Sequence, residues 1–119
     1  MEQTIELKKD PTIIVQKTGV LIIGSNEDLV SLLIKLVNKF RNFKAYAALN
    51  EKDALDLFIV TPIDLVLFSS GLPDDLENSL KAYFLAKNPN AKIIAHYGGG
   101  SGLLQCEICE ALGRAIELV

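Results

Sequence analysis

Ser69 and Ser70 are the residues best placed to do chemistry. They follow Leu65 to Phe68, an uninterrupted apolar run bounded by Pro62 on one side and by Gly71 and Pro73 on the other, the pattern of a strand covered on both faces. Open parallel sheets collect ligands outside the carboxyl ends of such strands. Neither serine has a histidine, lysine or acid beside it in sequence, and a hydroxyl without a base is a weak nucleophile. A second candidate is Gly98, Gly99, Gly100, Ser101 and Gly102, a glycine-rich turn that could offer backbone N–H groups and a helix N-terminus to an anion. It lacks the Lys-Ser/Thr pair of a P-loop, so a flexible connector is the competing reading. Cys106 and Cys109 have the spacing of redox and zinc motifs. Zinc would need two more ligands, and the expectation is two semi-buried thiols. His96, the single histidine, is expected as a partly exposed residue near the carboxyl end of a strand. No cofactor and no metal site is expected.

Composition sets the frame for these groups. A chain of 119 residues, half of them hydrophobic, makes one domain with one core. A net charge of -3 gives no general attraction to nucleic acid or anionic membrane. No apolar run reaches the ~20 residues that span a bilayer, and the polar start Met1 to Asp10 is unlike a signal peptide. A cytoplasmic protein is the expectation.

The elements that must position the serines alternate along the chain. Thr4 to Leu7 and Thr12 to Gln16 are β-prone pieces, Lys17-Thr-Gly19 is a turn signal, and Val20 to Ile23 is a buried strand. Ser25 is the expected cap of a helix over residues ~26 to 40, with Leu29, Leu32, Leu33, Leu36, Val37 and Phe40 as its apolar stripe. Phe43 to Leu49 reads as a strand. Asn50 then caps a helix that buries Ala54, Leu55, Leu57 and Phe58. Asp74 and Asp75 open a third helix, with Leu76, Leu80, Tyr83 and Phe84 inward. Ala91 to Tyr97 is a fourth strand, and a final helix runs from about Leu103 to Leu118. Strand and helix in alternation predict an α/β protein with a parallel sheet and right-handed crossovers.

Several pieces of this pattern resemble the receiver domains of bacterial two-component response regulators. Val20-Leu-Ile-Ile23 falls where those domains carry their first strand, and Asn50-Glu-Lys-Asp-Ala-Leu55 is similar to their "Asn-Gly-Glu-Glu-Ala-Leu" pattern. Ile63-Asp-Leu-Val-Leu67 with Gly71-Leu-Pro73 is similar to "Pro-Asp-Leu-Val-Leu-Leu-Asp-x-x-Leu-Pro", and Ile93-Ile-Ala95 to the fourth strand. The resemblance covers residues ~20 to 98. It implies a three-layer αβα, flavodoxin-like domain over 20–119 with four core strands and signalling through protein partners; the 1–19 extension, which the family pattern does not require, is expected to add a strand or strands.

The departures from that family shape the functional expectation. Receivers hold a divalent cation with two acids after the first strand, where this chain has Gly24 and Ser25; the phosphoacceptor aspartate falls on Ser69 and the switch hydroxyl on Tyr97. No lysine follows Lys92, so the family's fifth-strand lysine has no counterpart. Mg²⁺ wants carboxylate oxygens, which makes this a degenerate, non-enzymatic pseudo-receiver. Only 22 residues follow Tyr97, so one helix-strand unit is missing and a sheet edge is left open. Thr12 to Gln16 is expected to cover such an edge, in its own chain or in a partner.

In the final helix, Leu104, Ile108, Ala111, Leu112, Ala115 and Ile116 form one arc, with Glu107, Glu110, Arg114 and Glu117 opposite. The arc suits packing on the sheet, and the resemblance implies a homodimer by this face or the edge beside it. Two other readings stand. Ser70-Gly-Leu72 followed by Gly98-Gly99 resembles "Ser-x-Leu … Gly-Gly" of cobalamin-binding domains, although their "Asp-x-His-x-x-Gly" loop is absent near Gly24 to Leu29; this reading makes the chain a module for an anion, nucleotide or cobalamin-like ligand at Gly98–Gly102. The other is phosphorylation of Ser69 or Ser70 by a serine kinase.

Overall fold

A computed structural model describes residues 17–96 and 101–113. Its first described strand, β1 (Thr18–Ile23), is buried at every residue. It begins two residues before Val20, inside what the sequence suggests is a turn, because Gly19 serves a close approach. The Pro62 carbonyl oxygen occupies the place where a Cβ on Gly19 would sit. Asp64 then clamps that residue from both sides: its Oδ2 accepts from Gly19 N at 2.9 Å, and its backbone N donates to Gly19 O at 2.8 Å.

β1 is central. It runs parallel to β2 (Phe43–Ala48), with Thr18 opposite Phe43 and Ile23 opposite Ala48, and to β3 (Leu65–Ser69), with Val20 opposite Leu65 and Ile23 opposite Phe68. β4 (Lys92–His96) pairs parallel with β3, Leu65 opposite Lys92 and Ser69 opposite His96. The order is β2-β1-β3-β4.

Helix α1 (Glu27–Val37) is capped by Asn26 instead of the expected Ser25. Asn26 has extended backbone angles and its Oδ1 accepts from Leu29 N at 3.1 Å, the geometry that satisfies an otherwise orphaned first-turn donor. The helix is shorter than 26–40 and is rotated relative to the expected stripe: Val30, Leu33 and Val37 face the core with Phe40 just beyond, while Leu29 and Leu32 are exposed. The small site at Gly24 admits Val30 against the strand end, which sets that rotation. Asn38 ends the helix and its Oδ1 takes Ala45 N at 3.0 Å, tying the helix end to β2.

Helix α2 (Glu51–Val60) starts at Asn50 as expected, with Asp53 N donating to Asn50 Oδ1 at 2.9 Å and Asn50 Nδ2 to Asp53 Oδ2 at 3.1 Å. Ala54 and Phe58 are buried, and Leu55 and Leu57 are partly buried against them. Helix α3 (Asp74–Lys87) has Asp74, Asp75 and Glu77 in its first turn, where negative charge complements the helix dipole. It buries Leu80 and Phe84, the latter with its ring centroid 4.5 Å from that of Phe58.

Helix α4 (Ser101–Leu112) begins two residues before Leu103 and stops at Leu112 instead of Leu118. Gly113, at φ 70°, donates its N–H to Cys109 O at 2.8 Å, a left-handed terminus suited to glycine.

Three layers result. α1 and α4 cover Val20, Ile22, Leu65 and Leu67 on one face, and α2 and α3 cover Leu21, Ile23, Val66 and Phe68 on the other. The expected strand over residues 12–16, and Arg114, Ala115, Ile116 and Glu117, expected in the final helix, lie outside the described residues. Among the described residues no helix is long and apolar enough to cross a membrane.

Candidate functional site

The carboxyl ends of β1, β3 and β4 bring Gly24, Ser69 and His96 side by side on the face covered by α1 and α4. Side-chain alternation in a strand explains the row: residues 20, 22 and 24, 65, 67 and 69, and 94 and 96 share that face, as the burial of Val20, Ile22, Leu65, Leu67 and Ile94 in one cluster requires.

Gly24 and Ser69 are in contact. A Cβ at position 24 would lie 2.8 Å from Ser69 Cβ and 2.9 Å from Val30 Cγ2, closer than real side chains approach. Ser69 is only 2% exposed, whereas Ser70 is half-buried. The loops that follow β1 and β3 also meet. Gly71 adopts φ 104°, in the left-handed region that favours glycine, and a Cβ there would be 2.5 Å from Ser25 Oγ. Gly24, Ser25, Ser69 and Gly71 therefore converge on one point, and none of them supplies a carboxylate.

His96 departs from expectation. It is 6% exposed, and its Nδ1 lies 2.5 Å from Glu107 Oε1. The burial comes from α4, which packs over this strand end through Leu104 and Ile108. Three residues after Leu104, Glu107 lies ~60° from it around the helix, so it borders the buried arc and reaches the imidazole instead of standing opposite. Glu107 Oε1 is thus the hydrogen-bond partner of Nδ1 in this buried ring. The single histidine, absent beside Ser69 in sequence, is its cross-strand neighbour in the register. Nothing in the linear pattern marks that adjacency, since 27 positions separate residues 69 and 96. On the other face Lys81 Nζ lies 5.9 Å over the Phe68 ring and 3.2 Å from Glu77; the i,i+4 spacing of that pair was legible in sequence.

The remaining candidates scatter. Tyr97, Gly98, Gly99 and Gly100 lie outside the described residues. Ser101 and Gly102, expected in a connector, form the first turn of α4, and open space surrounds Gly102. Cys106 is exposed, not semi-buried, and Cys109 is half-buried; both are free and inside α4. Among the described residues no three His, Cys, Asp or Glu side chains are grouped to hold a metal ion.

A flavodoxin-like α/β sheet with converging loops at its carboxyl edge defines the class, and the solved structures it matches include receiver domains. One is the signal receiver domain of an HD domain-containing protein from Pseudomonas fluorescens Pf-5, at 20% identity and a TM-score of 0.61, over 83% of this chain and 78% of that one. Another is a response regulator receiver protein from Pseudomonas putida, at 16% identity and TM-score 0.57, over 82% of each chain. A third is a chain in the complex of the P1 domain of CheA3 with CheY6 from R. sphaeroides, at 18% identity and TM-score 0.58, over 83% of this chain and 99% of that one. No family model matches the sequence, and no curated protein matches it. Likeness at this level of identity is likeness of fold.

Proposed function

We propose that the chain is a non-catalytic pseudo-receiver, a protein-protein interaction module of two-component-type signalling that is not phosphorylated on aspartate. The observation that carries this reading is the contact between Gly24 and Ser69. The places where the resemblance calls for metal-binding and phosphoacceptor carboxylates hold a glycine, an exposed Ser25 and a buried serine, and the glycine site has no room for a side chain. A divalent cation meets no carboxylate there. Transfer to Ser69 would place a doubly charged group beside the apolar side chain of Val30, which is a desolvation cost.

A protein partner is the natural ligand of such a domain. The complex of CheA3 P1 with CheY6 is a precedent for partner binding on this fold, and self-association through the β4 and α4 side is the form favoured here. The test is incubation with acetyl phosphate, or with beryllofluoride and Mg²⁺, followed by intact-mass and NMR spectra. The expected result is no adduct and no shift; a covalent phosphate or a metal-dependent spectrum sinks the reading.

A further inference from the structure

Among the described residues β4 is paired on one side only, with β3. In a parallel ladder every second residue of an edge strand turns its N–H and C=O outward, so the far side of β4 presents unpaired donors and acceptors. Its middle is Ile93-Ile94-Ala95, and these residues are half-buried where every residue of β3 is buried. Beside this edge, Ile94, Ala95, Glu107, Glu110 and Ala111 line an open depression of about 370 Å³.

The chain has a segment suited to that edge. Residues 12–16 read Thr-Ile-Ile-Val-Gln, three consecutive β-branched apolar residues between two polar ones. As one strand they do not reach the β4 edge of their own sheet. β1 is flanked by β2 and β3, so a strand outside β4 lies three strand spacings, about 14 Å, from β1. Gln16 is two residues from Thr18, the first residue of β1, and two residues span at most about 7 Å. The distance that forbids pairing within one chain places no limit on pairing with another. Lys8, Lys9 and Lys17 flank the segment together with Glu6 and Asp10, and Glu107 and Glu110 line the depression.

We infer that residues 12–16 add as an edge strand to β4 of a second copy of the chain, and that the exchange is reciprocal, giving a two-fold symmetric dimer. The inference rests on the interaction-module reading and gives that module its partner. Ile13, Ile14 and Val15 gain burial against the partner's exposed edge, and the edge loses its unpaired groups.

Light scattering on the full chain is expected to give twice the 13.0 kDa chain mass. Ile14→Pro, which removes a backbone donor outside the described core, is expected to weaken the dimer at least about tenfold with an unchanged circular dichroism spectrum, while Ile14→Val leaves it intact. In a dimer mixed from labelled and unlabelled chains, isotope-filtered NOEs between residues 13–15 and 93–95 should be intermolecular. A monomeric chain, NOEs within one chain, or a dimer indifferent to Ile14→Pro each overturns the exchange. The phosphorylation assay fails independently: an adduct on an intact exchanged dimer overturns the pseudo-receiver reading and leaves this inference standing.

Discussion

Gly24 is constrained by contact, not by backbone angle. Its α-hydrogen faces Ser69 and Val30 at distances that exclude a methyl group, so Gly24→Asp should not restore a metal site. Forcing a carboxylate into that gap displaces β3 or α1, and overpacking of this kind costs about 1–3 kcal/mol. A lower urea midpoint with no gain in Mg²⁺ binding by titration calorimetry is the expected outcome. His96 poses the opposite problem, a buried polar ring that needs its partner. Glu107→Leu strands Nδ1 and should cost about 1–3 kcal/mol, whereas Glu107→Gln keeps an acceptor and should cost less. Urea denaturation of both variants separates the lost hydrogen bond from lost packing.

At the scale of elements, the entries to α1 and α2 depend on different devices. Entry to α1 rests on Asn26, whose side chain satisfies Leu29 N. Asn26→Ala should cost about 1 kcal/mol, and Ser25→Ala should stay within about 0.5 kcal/mol as an exposed change away from the cap. Equal effects in thermal melts would mean that the capping geometry is shared. Entry to α2 has a reciprocal pair, Asn50 with Asp53, so its start was legible from spacing alone. The stripe of α1 was legible in part: Leu33, Val37 and Phe40 are buried as their spacing suggests, whereas Leu29 and Leu32 are exposed and Val30 takes the inward place beside Gly24.

For the whole molecule, one sheet divides the core into two clusters, one under α1 and α4 and one under α2 and α3. Because β1 and β3 contribute side chains to both, damage to either cluster should unfold the entire domain. Leu104→Ala and Phe84→Ala should each lower stability, by about 2–5 and 3–5 kcal/mol, while circular dichroism and tyrosine fluorescence transitions remain coincident. Separated transitions would show that α4 melts on its own, as a helix held to a half-open edge could.

The linear pattern determined the order and type of the elements. Buried strands such as Leu65 to Phe68 are continuous apolar runs, helices start at Asn50 and Asp74 through local chemistry, and local chemistry is written in neighbouring residues. It also determined that no carboxylate stands at positions 24, 25 and 69. What the tertiary structure alone decided is adjacency across the sheet: His96 beside Ser69, Glu107 closing on His96, Gly71 against Ser25, and Gly19 pressed on Pro62. Each joins residues set far apart along the chain by strand register and by the rotation of a helix about its axis, quantities that depend on how whole elements pack and leave no mark at any single position.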